Sequence, residues 1–356
     1  VVLYAGLGKY LGRHWAAAPD RAAVLRGIAV IAVRRLPWLA VAAIGGAATF
    51  GLGAADTVLA AVALFGTTVG LSVLGFAQSA LQAERAHWRD CALSTVASLT
   101  RSFLPPLFFA AAGGLGALWS AFGLHAAAVA LLGAWFLGAG WRTEATAATL
   151  PDVYRGPMFV VLSVAGWLLT GVNRWIVSWR FGVVEAGYYT LAGGAAVVAT
   201  AVLGIVMLQY LQPGFYALGD GPVTDRARLA RRVDLGAAAY ALAAAGGLML
   251  LNLIAPHLVG PLISETYRES LKWLVPAGCF GLAVMTGNFY HSLLLAGRRE
   301  SACGRVDLAS AAVLAGGGVL AALAGETAFA RWLVVSPLVP WALTRPLARR
   351  AFFRPE

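Results

Sequence analysis

Apolar segments of about 20 residues recur along the whole chain, and a helix of that length crosses the hydrocarbon core of a bilayer. A water-soluble core cannot bury so many of them, so the pattern predicts an all-α, polytopic membrane protein. We place the spans at residues 28–50, 56–81, 91–112, 115–139, 157–179, 187–211, 235–259, 271–295, 304–324 and 329–346. Residues 1–8 look like the end of an earlier span, so we expect an N-terminally truncated chain with about ten complete helices after this remnant.

The charge content agrees with a membrane protein. Of the 356 residues, 60% are hydrophobic and 12% are charged, whereas a soluble domain carries about 25% charged residues. In a soluble protein the net charge of +11 would suggest a nucleic-acid partner. In a membrane protein, excess arginine and lysine marks the cytoplasmic loops instead, so we expect no nucleic-acid partner.

The basic residues divide unevenly between the two sets of alternating loops. One set holds 19 of the 27 lysines and arginines, and the other set holds three. The positive-inside rule therefore places the first set in the cytoplasm. That set comprises residues 9–27, 82–90, 140–156, 213–234, 296–306 and 345–356, and the opposite set comprises residues 51–56, 113–120, 180–186, 260–270 and 325–331.

Two short motifs return in the same order in the second half of the chain. DRAAVLR at residues 20–26 reappears as DRARLAR at 225–231. LFG at 64–66 leads along a span that ends at the ER of 84–85, and CFG at 279–281 leads along one that ends at the RRE of 298–300. The pattern predicts two homologous helical lobes, residues 1–150 (truncated at the start) and 151–356. An offset of six helices gives the lobes the same orientation, and parallel repeats of this kind are typical of transporters.

Catalytic and metal-binding motifs are absent from the sequence. It contains no Walker A loop, GxSxG elbow or HExxH pair. The three cysteines and five histidines are scattered without metal-ligand spacing. We therefore expect no enzymatic activity, no cofactor and no metal site.

Arg101 lies near the middle of the predicted span 91–112. An arginine at this depth costs roughly 2.5–3.5 kcal/mol on insertion scales, so it usually faces a cavity or a partner side chain. Pro105 and Pro106 follow and interrupt the backbone hydrogen bonds of the helix. We favour a substrate-binding role for Arg101 in a cavity, with a structural partner in the bundle as the alternative.

Four further polar residues within spans are candidates for substrate binding. Asn173 and Arg174 lie in the outer third of their span, and either a polar network or snorkelling to the interface explains them. Arg34 and Arg35 lie near the cytoplasmic end of their span, where anchoring at the interface is the favoured alternative. Acidic residues fall in loops or at span ends, so the charged candidate residues for a membrane pathway are cationic and favour an anion such as a pyrophosphate.

The segment NRWIVSWRFGVVEAGYYTLAGG at residues 173–194 resembles the first helix pair of the C-terminal half of Wzx-type polysaccharide (O-antigen) flippases. These proteins belong to the multidrug/oligosaccharidyl-lipid/polysaccharide exporter superfamily. They typically show an Asp-Arg pair and then Gly-Tyr-Tyr. Asn173 and Arg174 match the pair with Asn in place of Asp, and residues 187–189 match the Gly-Tyr-Tyr. The proline-containing helix end at 208–220 and the Gly-Arg-Arg at 297–299 are also similar to the family.

The resemblance implies a MATE-like fold of two six-helix lobes that alternate access across the bacterial inner membrane. The implied substrate is an undecaprenyl-pyrophosphate-linked oligosaccharide, moved for O-antigen and lipopolysaccharide synthesis. Membrane lipids and a polysaccharide polymerase are the other expected partners. The Asn at position 173 weakens an ion-coupling role there. A multidrug exporter of the same fold is the alternative, and a membrane glycosyl transferase or polymerase is less favoured because the outer loops are short.

The loop assignment predicts the result of a labelling experiment. Single cysteines at Ala86, Thr224 and Ser301, in a cysteine-free chain, should resist a membrane-impermeant thiol reagent in intact cells because these loops carry the basic excess. A cysteine at Thr327, in the opposite set, is the positive control. Labelling of Thr224→Cys without permeabilisation would reverse the orientation.

Overall fold

The computed structural model describes residues 21–48, 53–83, 86–137, 169, 171–219, 223–261 and 263–353. Of these residues, 95% are helical and none belongs to a strand. An isolated backbone bridge joins Val259 and Ile263. The chain divides into two compact units, Val1–Ser163 and Val164–Glu356. The boundary predicted at residue 150 falls within residues 138–168, which lie outside the described part.

The first unit contains four described helices. They are α1 (Arg21–Ala48), α2 (Ala54–Ala83), α3 (His87–Ala112) and α4 (Gly114–Leu137). The reversal between α3 and α4 needs glycine, because Gly113 and Gly114 have φ values of +66° and +73°. Leu74, Leu93 and Val129 belong to the buried core that joins α2, α3 and α4.

Close contact between α2 and α4 depends on a missing side chain. A Cβ atom on Gly70 would lie 2.5 Å from the carbonyl oxygen of Ala126 and 2.9 Å from its Cα atom. Small residues allow helix backbones to approach closely in membranes, where van der Waals packing drives helix association. Gly70 therefore determines how closely these two helices pack.

The second unit is built from helices that are mostly connected by short turns. They are α5 (171–181), α6 (Val183–Val197), α7 (Leu203–Gly219), α8 (Val223–Leu258), α9 (Leu274–Ala296), α10 (Glu300–Ala324), α11 (Glu326–Val335) and α12 (Arg345–Phe353). A π-helical segment, Val198–Val202, joins α6 to α7, and a 3-10 helix, Glu265–Trp273, leads into α9.

Helix α9 forms the centre of the second unit. It contacts α6, α7, α8, α10, α11 and α12. In an apolar stretch of 18 residues within the span Glu265–Ala296, 72% of the residues are buried, against 22–33% for the other spans of the described chain. These six helices therefore surround α9 and present their other faces outward.

Seven helical segments in the described part are long and apolar enough to cross a membrane. They are Ala23–Ala48, Ala54–Leu81, Gly116–Phe136, Val183–Leu218, Asp225–Leu258, Glu265–Ala296 and Ser301–Ala324. Each coincides with a predicted span, and they support a multi-pass protein. The total of ten stays a prediction.

The other three predicted spans differ for identifiable reasons. Helix α3 covers 91–112, but only Phe103–Ala112 is sufficiently apolar, because polar residues dilute its first half. Most of 157–179 lies outside the described residues. The span 329–346 is not one regular α-helix, because α11 ends at Val335 and is followed by a turn and the π-helical segment Pro340–Thr344. Prolines at 337 and 340 remove backbone donors at this interruption.

Large apolar side chains cover the outer faces of the helices. Trp38, Leu131, Trp135 and Leu242 are all exposed, as are many other valines and leucines. Monomeric soluble proteins rarely expose apolar surface on this scale. A hydrocarbon environment removes the cost of such exposure, because lipid tails are as apolar as these side chains.

The α2–α4 contact predicts opposite effects of two glycine substitutions. We expect Gly70→Ala to lower the free energy of unfolding in detergent by about 1–3 kcal/mol, because a backbone must move to admit the methyl group. Gly75→Ala is the matched control, because a Cβ there meets no atom within 4 Å and helix propensity favours alanine by up to about 1 kcal/mol. Equal stability of the two variants in a mixed-micelle unfolding titration would contradict the close contact.

Candidate functional site

The predicted arginines of the first unit lie on two helices. On α1, Arg34 is exposed and Arg35 is half-buried. Arg101 lies within α3, and its side chain lies outside the described part of the structure. The neighbouring Thr100 hydroxyl is 2.8 Å from Nδ1 of the buried His125 on α4. The position of Arg101 is therefore next to a polar contact between two helices.

Asn173 and Arg174 leave helix α5 in different directions. Arg174 is exposed, whereas Asn173 is only 3% exposed. The Asn173 amide lies beside the Tyr189 side chain of α6 and faces Gly318 of α10. Neither of its amide atoms reaches hydrogen-bonding geometry with a partner in the described residues. The structure thus separates the two residues, and it places them in a different unit from Arg34, Arg35 and Arg101.

A polar network closes one end of the second unit. Glu185, at the start of α6, accepts hydrogen bonds from Lys272 at 3.1 Å and from the Trp273 indole at 2.9 Å. Lys272 also forms an ion pair with Glu326, at the start of α11, with an N–O distance of 2.9 Å. The network joins residues in or beside the loops 180–186, 260–270 and 325–331. The loop charges predict that these loops lie on the outer side.

A second network, centred on Asp234 of α8, closes the opposite end. Arg345 of α12 donates two hydrogen bonds to the Asp234 carboxylate, from Nε and Nη2, each 3.0 Å long. The Tyr290 hydroxyl donates to Oδ1 at 3.2 Å, and Arg349 lies 3.4 Å from Oδ2. Hydrogen bonding to Asp234 raises the pKa of the Arg345 guanidinium. The network joins elements from loops that the charge bias assigns to the cytoplasm.

Helix α8 extends beyond this network. It has 36 residues, which corresponds to about 54 Å at 1.5 Å per residue. The hydrocarbon core is only about 30 Å thick. The first three turns, which carry Arg226, Arg228, Arg231 and Arg232, therefore lie beyond the hydrocarbon when the apolar part of α8 spans the membrane.

A groove of about 730 Å³ lies between α10 and α12 at the same end as Asp234. Arg305 and Arg350 line it, and both are exposed. Its other lining residues are apolar: Ala302, Val306, Ala309, Leu347, Ala351 and Phe353. The groove therefore combines two guanidinium groups with a hydrocarbon-compatible wall.

From the sequence, Arg305 and Arg350 contribute only to the basic charge of the loops at 296–306 and 345–356. They are 45 residues apart, and no motif connects them. The hairpin of α9 and α10 and the docking of α12 bring them together. The sequence of α12, RPLARRAFF, gives a weak local indication of such a surface, because it mixes arginines with apolar residues in one short helix.

Comparison with known protein families, curated proteins and solved structures found no match for this chain. Its class follows from its own features, namely seven long apolar helices and outward-facing apolar side chains in the described residues. The chain is an all-α, multi-pass membrane protein.

The Asp234 network predicts a specific loss of stability. We expect Asp234→Asn to lower the free energy of unfolding in mixed micelles by about 1–2 kcal/mol, because two arginines lose their partly buried counter-charge. Asp225→Asn is the matched control on the same helix, because Asp225 contacts only an exposed Arg228 at 3.8 Å in the described structure. The control should change stability by less than about 0.5 kcal/mol. Equal losses in both variants would contradict a special role for Asp234.

Proposed function

We propose that this protein is a flippase for undecaprenyl-pyrophosphate-linked oligosaccharides in the bacterial inner membrane. It moves polysaccharide repeat units from the cytoplasmic to the outer leaflet by alternating access of two lobes with a MATE-like arrangement. The observation that carries the proposal is the groove between α10 and α12, which pairs two arginines with an apolar wall.

The groove matches both parts of such a substrate. Arginine forms bidentate, charge-assisted hydrogen bonds with phosphate oxygens, so Arg305 and Arg350 suit a pyrophosphate. The apolar wall suits the first isoprene units of the lipid. The groove lies at the end that the charge bias places in the cytoplasm, which is where a lipid-linked precursor is assembled. It would act as the entry site for the headgroup.

The substrate-binding residues predicted from the sequence add positions within the membrane to this proposal. Arg101 would attract the pyrophosphate or acidic sugars at mid-span, and Arg34 and Arg35 would do so nearer the cytoplasmic surface. Asn173 and Arg174 occupy the helix that resembles the start of the second lobe in polysaccharide flippases. Membrane lipids contact the outer faces, and a polysaccharide polymerase receives the product.

A multidrug exporter of the same fold is the competing function. A pathway for cationic drugs needs a buried carboxylate as counter-charge. Among the described residues, Asp90 is the one acidic residue that is buried. It lies in the first turn of α3, at the end of the helix. Asp234 is already neutralised by Arg345 and Arg349. These positions favour an anionic substrate.

Complementation of a flippase-deficient strain with the full-length gene tests the proposal. We expect Arg305→Gln combined with Arg350→Gln to lower the initial rate of surface polysaccharide appearance at least about tenfold, because each charge-assisted hydrogen bond contributes about 1.5–3 kcal/mol. Lipid-linked precursor should accumulate in the cytoplasmic leaflet. The amount of membrane protein is measured in parallel.

The matched control removes the same charge elsewhere at the same end. Arg231→Gln combined with Arg232→Gln changes two exposed arginines of α8 and should leave transport within about twofold of the wild type. Equal losses of transport in both double variants would show that positive charge at this end matters and that the groove has no specific role. Failure of the wild-type gene to complement, together with resistance to cationic drugs, would favour the exporter.

A further inference from the structure

Three side chains with metal-binding atoms converge where α9 turns into α10. His291 lies in the last two turns of α9, and Cys303 and Asp307 lie one helical turn apart on α10. Nδ1 of His291 is 3.0 Å from Sγ of Cys303 and 2.6 Å from Oδ2 of Asp307. One nitrogen, one sulfur and one oxygen atom thus lie within 4.8 Å of one another.

The geometry does not fit a nucleophilic relay. In a relay, the imidazole receives a proton from the nucleophile at one nitrogen and is oriented by a carboxylate at the other. Here the thiol and the carboxylate approach the same atom, Nδ1 of His291. Convergence of three different donor atoms on one point is instead the arrangement of a metal site.

We propose that His291, Cys303 and Asp307 bind one divalent transition-metal ion of the zinc class. Zinc takes imidazole nitrogen, thiolate sulfur and carboxylate oxygen at about 2.0–2.3 Å. Donors around such an ion are about 3–4 Å apart. Nδ1 of His291 is 2.6 Å from Oδ2 of Asp307 and 3.0 Å from Sγ of Cys303. To admit an ion, each distance therefore needs to lengthen by only about 1 Å. Thiolate and carboxylate together supply the two negative charges that balance the ion.

Burial within the cluster suits a site with one open position. Cys303 is fully buried and the His291 side chain is 6% exposed, whereas the Asp307 side chain is 21% exposed. Asp307 therefore gives the ion a path from the aqueous side. Three protein ligands leave a fourth position for water or another small ligand, as in non-structural zinc sites.

An ion at this position would link two helices of the second unit. It would join the central helix α9 to α10 across the turn at residues 297–299. Arg298 in this turn has a φ of 56°, which is unusual for a residue other than glycine. Arg305, which lines the groove, lies between Cys303 and Asp307 in the sequence. Metal binding would hold this segment of α10 in place.

Cobalt(II) is the probe for this site, because cobalt–thiolate coordination gives a charge-transfer band. The full-length chain, carrying a purification tag without histidine, is purified in detergent, freed of metal with a chelator and titrated at mildly alkaline pH. We expect one cobalt per chain with a thiolate band, and stoichiometric zinc should remove the band. Zinc should also raise the unfolding temperature, because the ion binds the folded state.

Substitutions separate this site from adventitious binding. Cys303→Ser should abolish the thiolate band, and Asp307→Asn should weaken cobalt binding at least about tenfold. Cys91→Ser and Cys279→Ser are matched controls, because Cys91 lies on α3 and Cys279 lies on α9 about 18 Å along the helix from His291, and both variants should retain the band. The wild-type titration alone is decisive if a variant fails to fold. Absence of a thiolate band at saturating cobalt, or its loss in the Cys91 or Cys279 variant, would overturn the proposal.

Discussion

Hydrocarbon offers no hydrogen bonds to a polypeptide backbone, and this constraint shapes the whole protein. In the described chain, non-helical backbone is confined to connections such as residues 113, 182, 259–261, 263–264, 297–299 and 325. Hydroxyl groups within the spans follow the same rule. Thr68, Ser72, Ser79 and Thr190 each donate to the carbonyl four residues earlier on their own helix. These four hydroxyl groups are thus satisfied by the backbone of their own helices.

Charged groups are placed by the same constraint, because an unpaired charge is expensive away from water. In the second unit, the main ion-pair networks lie at opposite ends of the helices, around Lys272 and around Asp234. Each joins elements that are distant in sequence, so each also fixes which helices are neighbours. The Asp234 network holds α12 against α8 and α9, and this docking forms one wall of the groove.

The first turns of α10 combine two possible roles. One face carries Arg305 into the groove proposed for a pyrophosphate, and another carries Cys303 and Asp307 toward His291 of α9. Because α9 is the most buried span of the described chain, a rigid connection to it gives the groove a fixed support. An ion in the hairpin would therefore support the groove without contacting a molecule bound there.

The sequence by itself determined the class of the protein and the location of most spans, because hydropathy and loop charge are sums over neighbouring residues. Seven predicted spans coincide with long apolar helices. Only the tertiary structure decided which helix is central. The α9 span has the lowest mean hydropathy of the seven, 1.3, and yet is the most buried. In a membrane, lipid is as apolar as a protein core, so polar residues collect inside and hydropathy does not report burial. Helix geometry alone directs the consecutive Asn173 and Arg174 to different faces. Which of them is buried, and the meeting of His291 with Cys303 and Asp307, depend on helix packing that no local pattern encodes.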